Sequence, residues 1–394
     1  MNDWHDNFDP TLLSQWKKCH PELLMASRDE AAKFPSRDPR SIWTPADFAH
    51  REVRDLAVRT VRDVLNRYDI DGVDLDFLRA RWYFQESRLQ KPVTPEHLDL
   101  LTDMVGGIRQ EVLKASERKG KPILLSARTF PTADFARRFG TDVVRWMEVG
   151  YLDLLVVGGH FDPFTVMGKD LVKRGHELGI PVYMGLSGSD LLPRGRAGSD
   201  LSVGNADAWC GAASNCWYSG ADGIMTFNLF TEEIGAREKA RRIWQDMSDP
   251  EALSLKDKLF CVENVGYTRD HGFLVGQSVL KNPLPVTVPQ GANARLTMVV
   301  GDDIPGNLDR VKSLCLRVGI SGNEAPDNVV AMVNGRRLKP EADRPSWLAA
   351  TVAPDSIKRG DNVIDVMYSK GRSDTVTLDR LKLTVRYKGQ EESR

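Results

Sequence analysis

Two aspartates in one short segment have the spacing that points most directly to chemistry. Val73, Leu75 and Phe77 alternate with Asp74 and Asp76. This period-two pattern is typical of a β-strand that has its apolar residues on one face and both carboxylates on the other. Because an unpartnered carboxylate is costly to bury, we expect this face either to meet solvent at the end of a sheet or to have a function.

Strands and helices alternate around this segment in the order that predicts a parallel sheet. An amphipathic helix over residues 51–68 leads into the acidic strand, and the next helix begins at Thr94, where Pro95 and Glu96 follow a capping hydroxyl. Further strands are predicted at 122–128, 152–159, 181–187 and 223–228, and further helices at 135–147, 165–178, 206–219 and 234–247.

An additional strand at residues 23–26 brings the predicted count to six. No GxGxxG follows the first strand, so a dinucleotide-binding fold is not favoured. The better fit is an α/β fold, a (β/α)8 or TIM barrel over residues 1–260, in which Met1–Asp6 is the tail of the second strand. The N-terminal strand is then missing or atypical, and we expect a fragment, a misassigned start or an unusual closure of the barrel.

The pattern changes after about residue 265. Helical periodicity stops, and short alternating segments separated by glycine-rich or polar turns predict an all-β sandwich over residues 265–390. Its strands are predicted at 285–288, 294–300, 313–321, 328–334, 347–352, 362–368 and 375–387.

Composition excludes several classes of partner. The net charge is −1 and no apolar run approaches the roughly 18 residues that span a bilayer, so we expect neither a nucleic-acid nor a membrane partner. The five cysteines show no CxxC spacing, which argues against a disulfide framework and a zinc site. We expect no cofactor.

No signal peptide is visible, so the chain as given is expected in the cytoplasm, or in the periplasm or outside the cell if its N-terminus is incomplete. The oligomeric state is open.

Active sites of TIM barrels lie at the carboxyl ends of the strands. The predicted strand ends and their loops carry carboxylates, histidines, arginines and aromatic rings, and carboxylate pairs that flank a cleft are typical of glycoside hydrolysis. The catalytic candidates are Asp76, Asp74 and Asp190, and the substrate-binding candidates are Asn2, Asp3, His5, Arg79, Trp82, Tyr83, Arg128, His160 and Asn228.

The carboxylates have alternative roles. Asp76 lies nearest the strand end and either contacts substrate or forms a structural ion pair with Arg79 or Arg128. Asp74 is expected one layer deeper, either as a buried support for Asp76 or in direct chemistry. Asp190 is the natural second carboxylate, and its alternative is a turn residue. Arg128 either binds an anionic sugar or keeps Asp76 ionised.

The candidates near the N-terminus also have two alternative roles. Asn2, Asp3 and His5 are expected to bind sugar hydroxyls, or a metal together with His160 and Asp162. The spacing fixes no ligand geometry, so we expect no metal.

Four aromatic residues are assigned to two groups by their position along the chain. Trp82 and Tyr83 are expected as exposed sugar-stacking rings, and Trp146 and Trp244 as core residues.

The segment 68–79 resembles the fourth-strand motif of the glycoside-hydrolase-like barrels, family-10-like, of environmental bacteria. Residues 1–6, 20–25, 47–54 and 220–228 resemble other segments of the same group in the same order. The resemblance covers most of residues 1–260 and implies a carbohydrate-active barrel, for which a β-sandwich is a usual companion.

Residues 71–78 also resemble the DGxDxDxE strand of family 18 chitinases, in which the final Glu is the proton donor. This chain has Leu78 at that position, so the resemblance does not extend to the chitinase mechanism. We therefore expect a glycoside hydrolase that acts on a poly- or oligosaccharide, anionic to judge from the arginines, with Asp76 as acid/base, Asp74 in support, and Asp190 or Asp3 as partner. The alternative is a non-catalytic carbohydrate-binding protein or a scaffold in a glycan-degrading system.

Overall fold

The computed structural model forms two compact units, the first mainly Met1–Gly158 and Gly168–Tyr183, the second mainly Met184–Arg269 and Leu280–Arg394. The residues that it describes are 5–36, 38–78, 82–89, 91–158, 168–187, 205–227, 237–262, 284–321, 328–341, 346–369, 371 and 373–389. Among them, no helix is both long enough and apolar enough to cross a membrane. The predicted division at residues 260–265 stays a prediction.

The first unit alternates strands with helices. Its helices are α1 (Gln15–Cys19), α2 (Arg28–Ala31), α3 (Arg51–Arg67), α4 (Gln85–Arg88), α5 (Pro95–Lys119), α6 (Ala133–Arg138), α7 (Val143–Glu148) and α8 (Lys169–Glu177). Five strands follow one another in the order β1 (Gly72–Asp76), β2 (Leu124–Thr129), β3 (Leu154–Gly158), β4 (Val182–Ser187) and β5 (Gly223–Phe227). The pairs β1–β2 and β2–β3 are parallel. β4 begins in the first unit and ends in the second, which contains β5.

This sheet is a half-barrel, and the described residues do not complete the predicted (β/α)8 barrel. The strand predicted at residues 23–26 is wrong: Leu24 forms only an isolated antiparallel bridge with Ala46. Pro21 begins a 3-10 turn, and the backbone N–H of Met25 donates to the Pro45 carbonyl at 2.8 Å. The apolar run is buried there as an irregular segment.

Local chemistry explains the helices beside β1. Thr94 and His97 form a reciprocal capping box at the start of α5, and Gly120 ends the helix in the left-handed conformation at φ 64°. The single helix predicted at 135–147 is wrong, because the chain turns at Gly140 (φ 97°) and Asp142 caps a new helix, α7.

The described residues of the second unit form a β-sandwich and three α-helices, α9 (Ala206–Tyr218), α10 (Arg237–Met247) and α11 (Pro250–Leu253). Its strands are β6 (Lys258–Val262), β7 (Val286–Pro289), β8 (Asn293–Val300), β9 (Val311–Ser321), β10 (Val329–Val333), β11 (Arg336–Arg337), β12 (Pro340–Glu341), β13 (Trp347–Thr351), β14 (Gly360–Tyr368) and β15 (Thr375–Tyr387). One sheet has the order β11-β10-β14-β8 and the other β12-β13-β9-β15-β6, with β7 also paired to β15. The seven predicted sandwich strands are confirmed, whereas β6 and the two-residue strands β11 and β12 were not predicted.

A buried polar cluster joins α9 to the sandwich. Asp302 accepts hydrogen bonds from Ser214 Oγ at 3.0 Å and Tyr387 Oη at 2.8 Å, and the fully buried Lys258 Nζ lies 3.0 Å from it. Gly211 allows the close contact, because a Cβ there would lie 2.3 Å from the carbonyl oxygen of Leu259. Each charge in this cluster therefore has internal partners.

Candidate functional site

The candidate site lies on one face of β1 and β2. Their parallel register places Asp74 beside Ser126 and Asp76 beside Arg128. Side chains at alternate positions of a strand share a face, so two carboxylates, a hydroxyl and a guanidinium are adjacent near the carboxyl ends of two parallel strands. Leu124, on the same face, is 52% exposed. This face of the half-barrel is therefore open to solvent at β1 and β2.

Asp76 is held by a guanidinium. Arg128 Nε donates to Asp76 Oδ1 at 3.1 Å, Arg128 Nη2 donates to Oδ2, and the backbone N–H of Leu78 donates to Oδ1 at 2.9 Å. The Asp76 side chain is 35% exposed, whereas Arg128 is buried. Such a two-point pair fixes both the orientation and the acceptor character of a carboxylate. The structure thus forms the ion pair with Arg128 that the sequence left as one alternative.

Asp74 is more accessible than predicted. It is exposed and accepts a hydrogen bond from Ser126 Oγ at 2.5 Å. The prediction of a buried position one layer below Asp76 is wrong, because the half-barrel leaves this face uncovered. Asp74 can consequently meet a ligand from solvent while a neighbouring hydroxyl orients it.

The predicted exposed rings are buried instead. Tyr83 is 3% exposed, its hydroxyl donates to the Phe77 carbonyl, and its ring packs edge-on against Phe77 and Phe48. Trp82 is 6% exposed and clusters with Met25 and Ile42. The prediction of exposed stacking rings is therefore wrong, because the Tyr83 ring packs against Phe77 directly after β1 and the Trp82 ring lies in a separate buried cluster.

The two tryptophans that were predicted as core residues differ. Trp146 is fully buried and packs against Phe77 with ring centroids 5.0 Å apart, as predicted. Trp244 is 40% exposed, so its assignment to the core is wrong.

The other candidates are only partly described. His5 is exposed in a 3-10 turn over His5–Asn7. The described residues contain no group of three or more histidine, cysteine or acidic side chains that could hold a metal ion. The candidates that lie outside the described residues are Asn2, Asp3, Arg79, His160, Asp162, Asp190 and Asn228.

One supporting pair was missed by the sequence analysis. Asp153 accepts two hydrogen bonds from Arg109, at 2.5 and 2.9 Å, and another from the backbone N–H of Leu125 at 2.8 Å. This pair attaches α5 to the start of β2, the strand that carries Ser126 and Arg128. An acid directly before a buried strand is the only sequence signal for it.

Comparisons with known proteins give distant likenesses. No protein-family model matches the chain, and no curated protein matches it. The chain is similar to a solved glycoside hydrolase family 18 N-acetylglucosaminidase from Paenibacillus barengoltzii, with a TM-score of 0.35 and 12% identity over 50% of this chain and 77% of that chain. It is also similar to the chitinase ChiW from Paenibacillus sp. str. FPU-7 (TM-score 0.37, 12% identity, 95% of this chain and 46% of that chain).

A third likeness is to a β-porphyranase of glycoside hydrolase family 86 from Bacteroides plebeius, with a TM-score of 0.22 and 9% identity over 74% of each chain. These neighbours are glycoside hydrolases. At TM-scores this low, the likenesses establish neither the fold nor the activity of this chain.

Proposed function

We propose that the chain hydrolyses glycosidic bonds of a poly- or oligosaccharide with Asp74 and Asp76 as its carboxylate pair. The observation that carries the proposal is the presence of both carboxylates on one solvent-accessible face near the carboxyl end of β1. Glycoside hydrolysis uses two carboxyl groups in unlike environments, one to donate a proton and one to act as nucleophile, base or charge stabiliser.

The hydrogen bonds of Asp74 and Asp76 assign one of these two roles to each carboxylate. Asp76, bound at two points by Arg128, suits the carboxylate that faces the developing positive charge of the sugar. Asp74, which is exposed and bound by a neutral hydroxyl, suits proton transfer. This assignment reverses the expectation from sequence, in which Asp76 was the acid/base. Asp190 remains a proposed third carboxylate.

The test is hydrolysis of a panel of neutral and anionic polysaccharides, with released oligosaccharides measured by mass spectrometry. Asp74→Asn and Asp76→Asn should each abolish product release while the protein remains folded and still binds the substrate. Asp71→Asn is the matched control, because Asp71 precedes the same strand, has a 92% exposed side chain and pairs with Lys121 at 3.0 Å. Undiminished release by both site variants contradicts the proposal.

A second candidate is carbohydrate binding without catalysis. Leu78 is fully buried at the position where the resembled chitinase strand has its proton donor, and Arg128 already occupies both oxygens of Asp76. Binding on a glycan array, with no product from any bound glycan and an affinity that depends on Asp74, selects this function over hydrolysis.

A further inference from the structure

A cationic groove lies between α3 and α5, and its lining residues do not include Asp74 or Asp76. It has a volume of about 480 Å³ and is lined by four arginines, Arg51, Arg54, Arg59 and Arg62, and by two aspartates, Asp55 and Asp103. Gly107 of α5 also lines the groove, and an added Cβ there would lie 3.3 Å from Val58 Cγ2 on α3. The lining thus combines the apolar residues Val58 and Met104 with more positive than negative charges.

Two of the arginines are neutralised by carboxylates. Arg62 donates two hydrogen bonds to Glu111, at 2.7 and 3.1 Å. Arg51 pairs with Asp55 one helical turn away, at 3.5 Å.

The other two arginines form no ion pair within the described residues, although the nearby carboxylates of Asp55 and Asp103 act on the charge of Arg54. Arg54 Nη1 donates to the carbonyls of Phe48 and Ala49 at 2.5 and 2.9 Å, which fixes the side chain without cancelling its charge. Partial burial lowers the pKa of the Arg54 guanidinium from its ordinary value. Arg59 is exposed, and within the described parts of the chain neither residue has a carboxylate at ion-pair distance.

The groove is connected to the carboxylates through packed residues. Arg54 binds the Phe48 carbonyl, the Phe48 backbone N–H donates to the Tyr83 carbonyl at 2.8 Å, and the Tyr83 hydroxyl donates to the Phe77 carbonyl. Phe77 directly follows Asp76. The residues that position the groove therefore also support the end of β1.

We propose that this groove is a second binding site, which takes an anionic carbohydrate that carries uronate or sulfate groups. The carbohydrate class rests on the proposed function, whereas the anionic character rests on Arg54 and Arg59. A guanidinium matches carboxylate and sulfate oxygens in geometry as well as charge. Arg54 and Arg59 are five residues apart on α3, which is about 7.5 Å along the helix axis, so a chain with repeated negative charges can contact both of them.

The test is isothermal titration calorimetry with polygalacturonate and dextran sulfate, and with neutral dextran as the uncharged probe. The double variant Arg54→Gln/Arg59→Gln should lower the affinity for the two polyanions about tenfold. Each exposed ion pair that is lost corresponds to roughly a two- to fivefold change in affinity. Added salt should weaken the wild-type affinity. Arg67→Gln is the control, because Arg67 lies on the same helix outside the groove and pairs with Asp63 at 2.8 Å.

Arg59→Gln alone is the second variant, because Arg59 is exposed and, within the described part of the chain, makes no hydrogen bond or ion pair that its loss would break. It should lower the affinity about two- to fivefold. Unchanged affinity in both groove variants overturns the proposal, even if Asp74→Asn and Asp76→Asn abolish hydrolysis. Loss of affinity in the groove variants, with no hydrolysis by the wild type, supports the groove and contradicts the proposed enzyme. Equal affinity for inorganic polyphosphate overturns the assignment to carbohydrate.

Discussion

Two charged pairs, one in each unit, show how differently this chain uses buried cations. Arg128 in the first unit and Lys258 in the second are both buried, and each faces an aspartate. Asp302 is buried like its partner and also accepts hydrogen bonds from Ser214 and Tyr387. Asp76 instead keeps a 35% exposed side chain.

The two ion pairs differ in whether a ligand from solvent can still reach the carboxylate. The pair of Lys258 and Asp302 is satisfied from within, so a ligand could reach it only after unfolding part of the unit. In the pair of Arg128 and Asp76, the guanidinium binds the carboxylate from the protein interior, and the Asp76 side chain remains partly exposed to solvent. A carboxylate of the second kind can still change its partner during a reaction, and this is why we assign function to Asp76 and structure to Asp302.

The largest effect on stability is expected for Lys258→Met. Removing one partner of a buried ion pair leaves Asp302 buried without a counter-charge, which costs about 3–5 kcal/mol of unfolding free energy. Urea unfolding of the full chain measures it. Lys312→Met, at an exposed position on β9, should change stability by less than about 0.5 kcal/mol. Equal effects would remove the distinction between the two pairs.

A smaller loss of stability is expected for Arg128→Gln. Asp76 then loses hydrogen bonds from a charged donor, worth about 1.5–3 kcal/mol, but water replaces them because the carboxylate is partly exposed. The same variant should lose most of the hydrolytic turnover, because Asp76 is no longer oriented. Comparison of turnover with urea unfolding separates the two effects, and a variant with full turnover would show that Arg128 is only structural.

Two glycine-to-alanine substitutions, one in a helix of each unit, compare how tightly these helices are packed. Gly211→Ala should destabilise the second unit by about 1–3 kcal/mol, because its Cβ would overlap the Leu259 carbonyl and backbone cannot move aside. Gly107→Ala in α5 should be nearly neutral, since its nearest neighbour is a Val58 methyl and alanine favours a helix. Thermal unfolding of the two variants provides the test; a larger loss for Gly107→Ala would contradict it.

The smallest effects are expected in the pH dependence of stability, where two aspartates act in opposite directions. Hydrogen bonds from Arg295 lower the pKa of Asp365 below its ordinary 3.8, so its contribution is complete above that value and is lost as the pH falls through the folded-state pKa. Burial raises the pKa of Asp47 above 3.8. The folded state then binds the proton more tightly, and stability falls as the pH rises from 3.8 through the folded-state pKa.

Urea unfolding between about pH 3 and pH 6 measures both slopes. Asp365→Asn should reduce the loss of stability at the acid end, and Asp47→Asn should remove the opposing slope. Identical profiles for the wild type and both variants would show that neither carboxylate is linked to folding.

The sequence predicted those features that depend on local pattern. Alternation located β1 and the seven sandwich strands, and capping residues located the start of α5. It also placed Asp74, Asp76 and Arg128 near strand ends. It could not predict the burial of Trp82 and Tyr83, because their partners Met25, Ile42 and Phe48 lie far away along the chain. Nor could it show that Arg128 faces Asp76, since parallel register is not encoded locally.

Strand β6 has a practical consequence for dividing this protein. Its residues, Lys258–Val262, pair with residues 381–385 of β15 near the other end of the second unit. A truncated protein that started after residue 262 would expose the backbone N–H and C=O groups of β15 as a new sheet edge, and such edges recruit strands from other molecules. It would also lose the ammonium group beside Asp302. Aggregation of such a truncated sandwich would therefore reflect the position of the cut and not an inability of the sandwich sequence to fold.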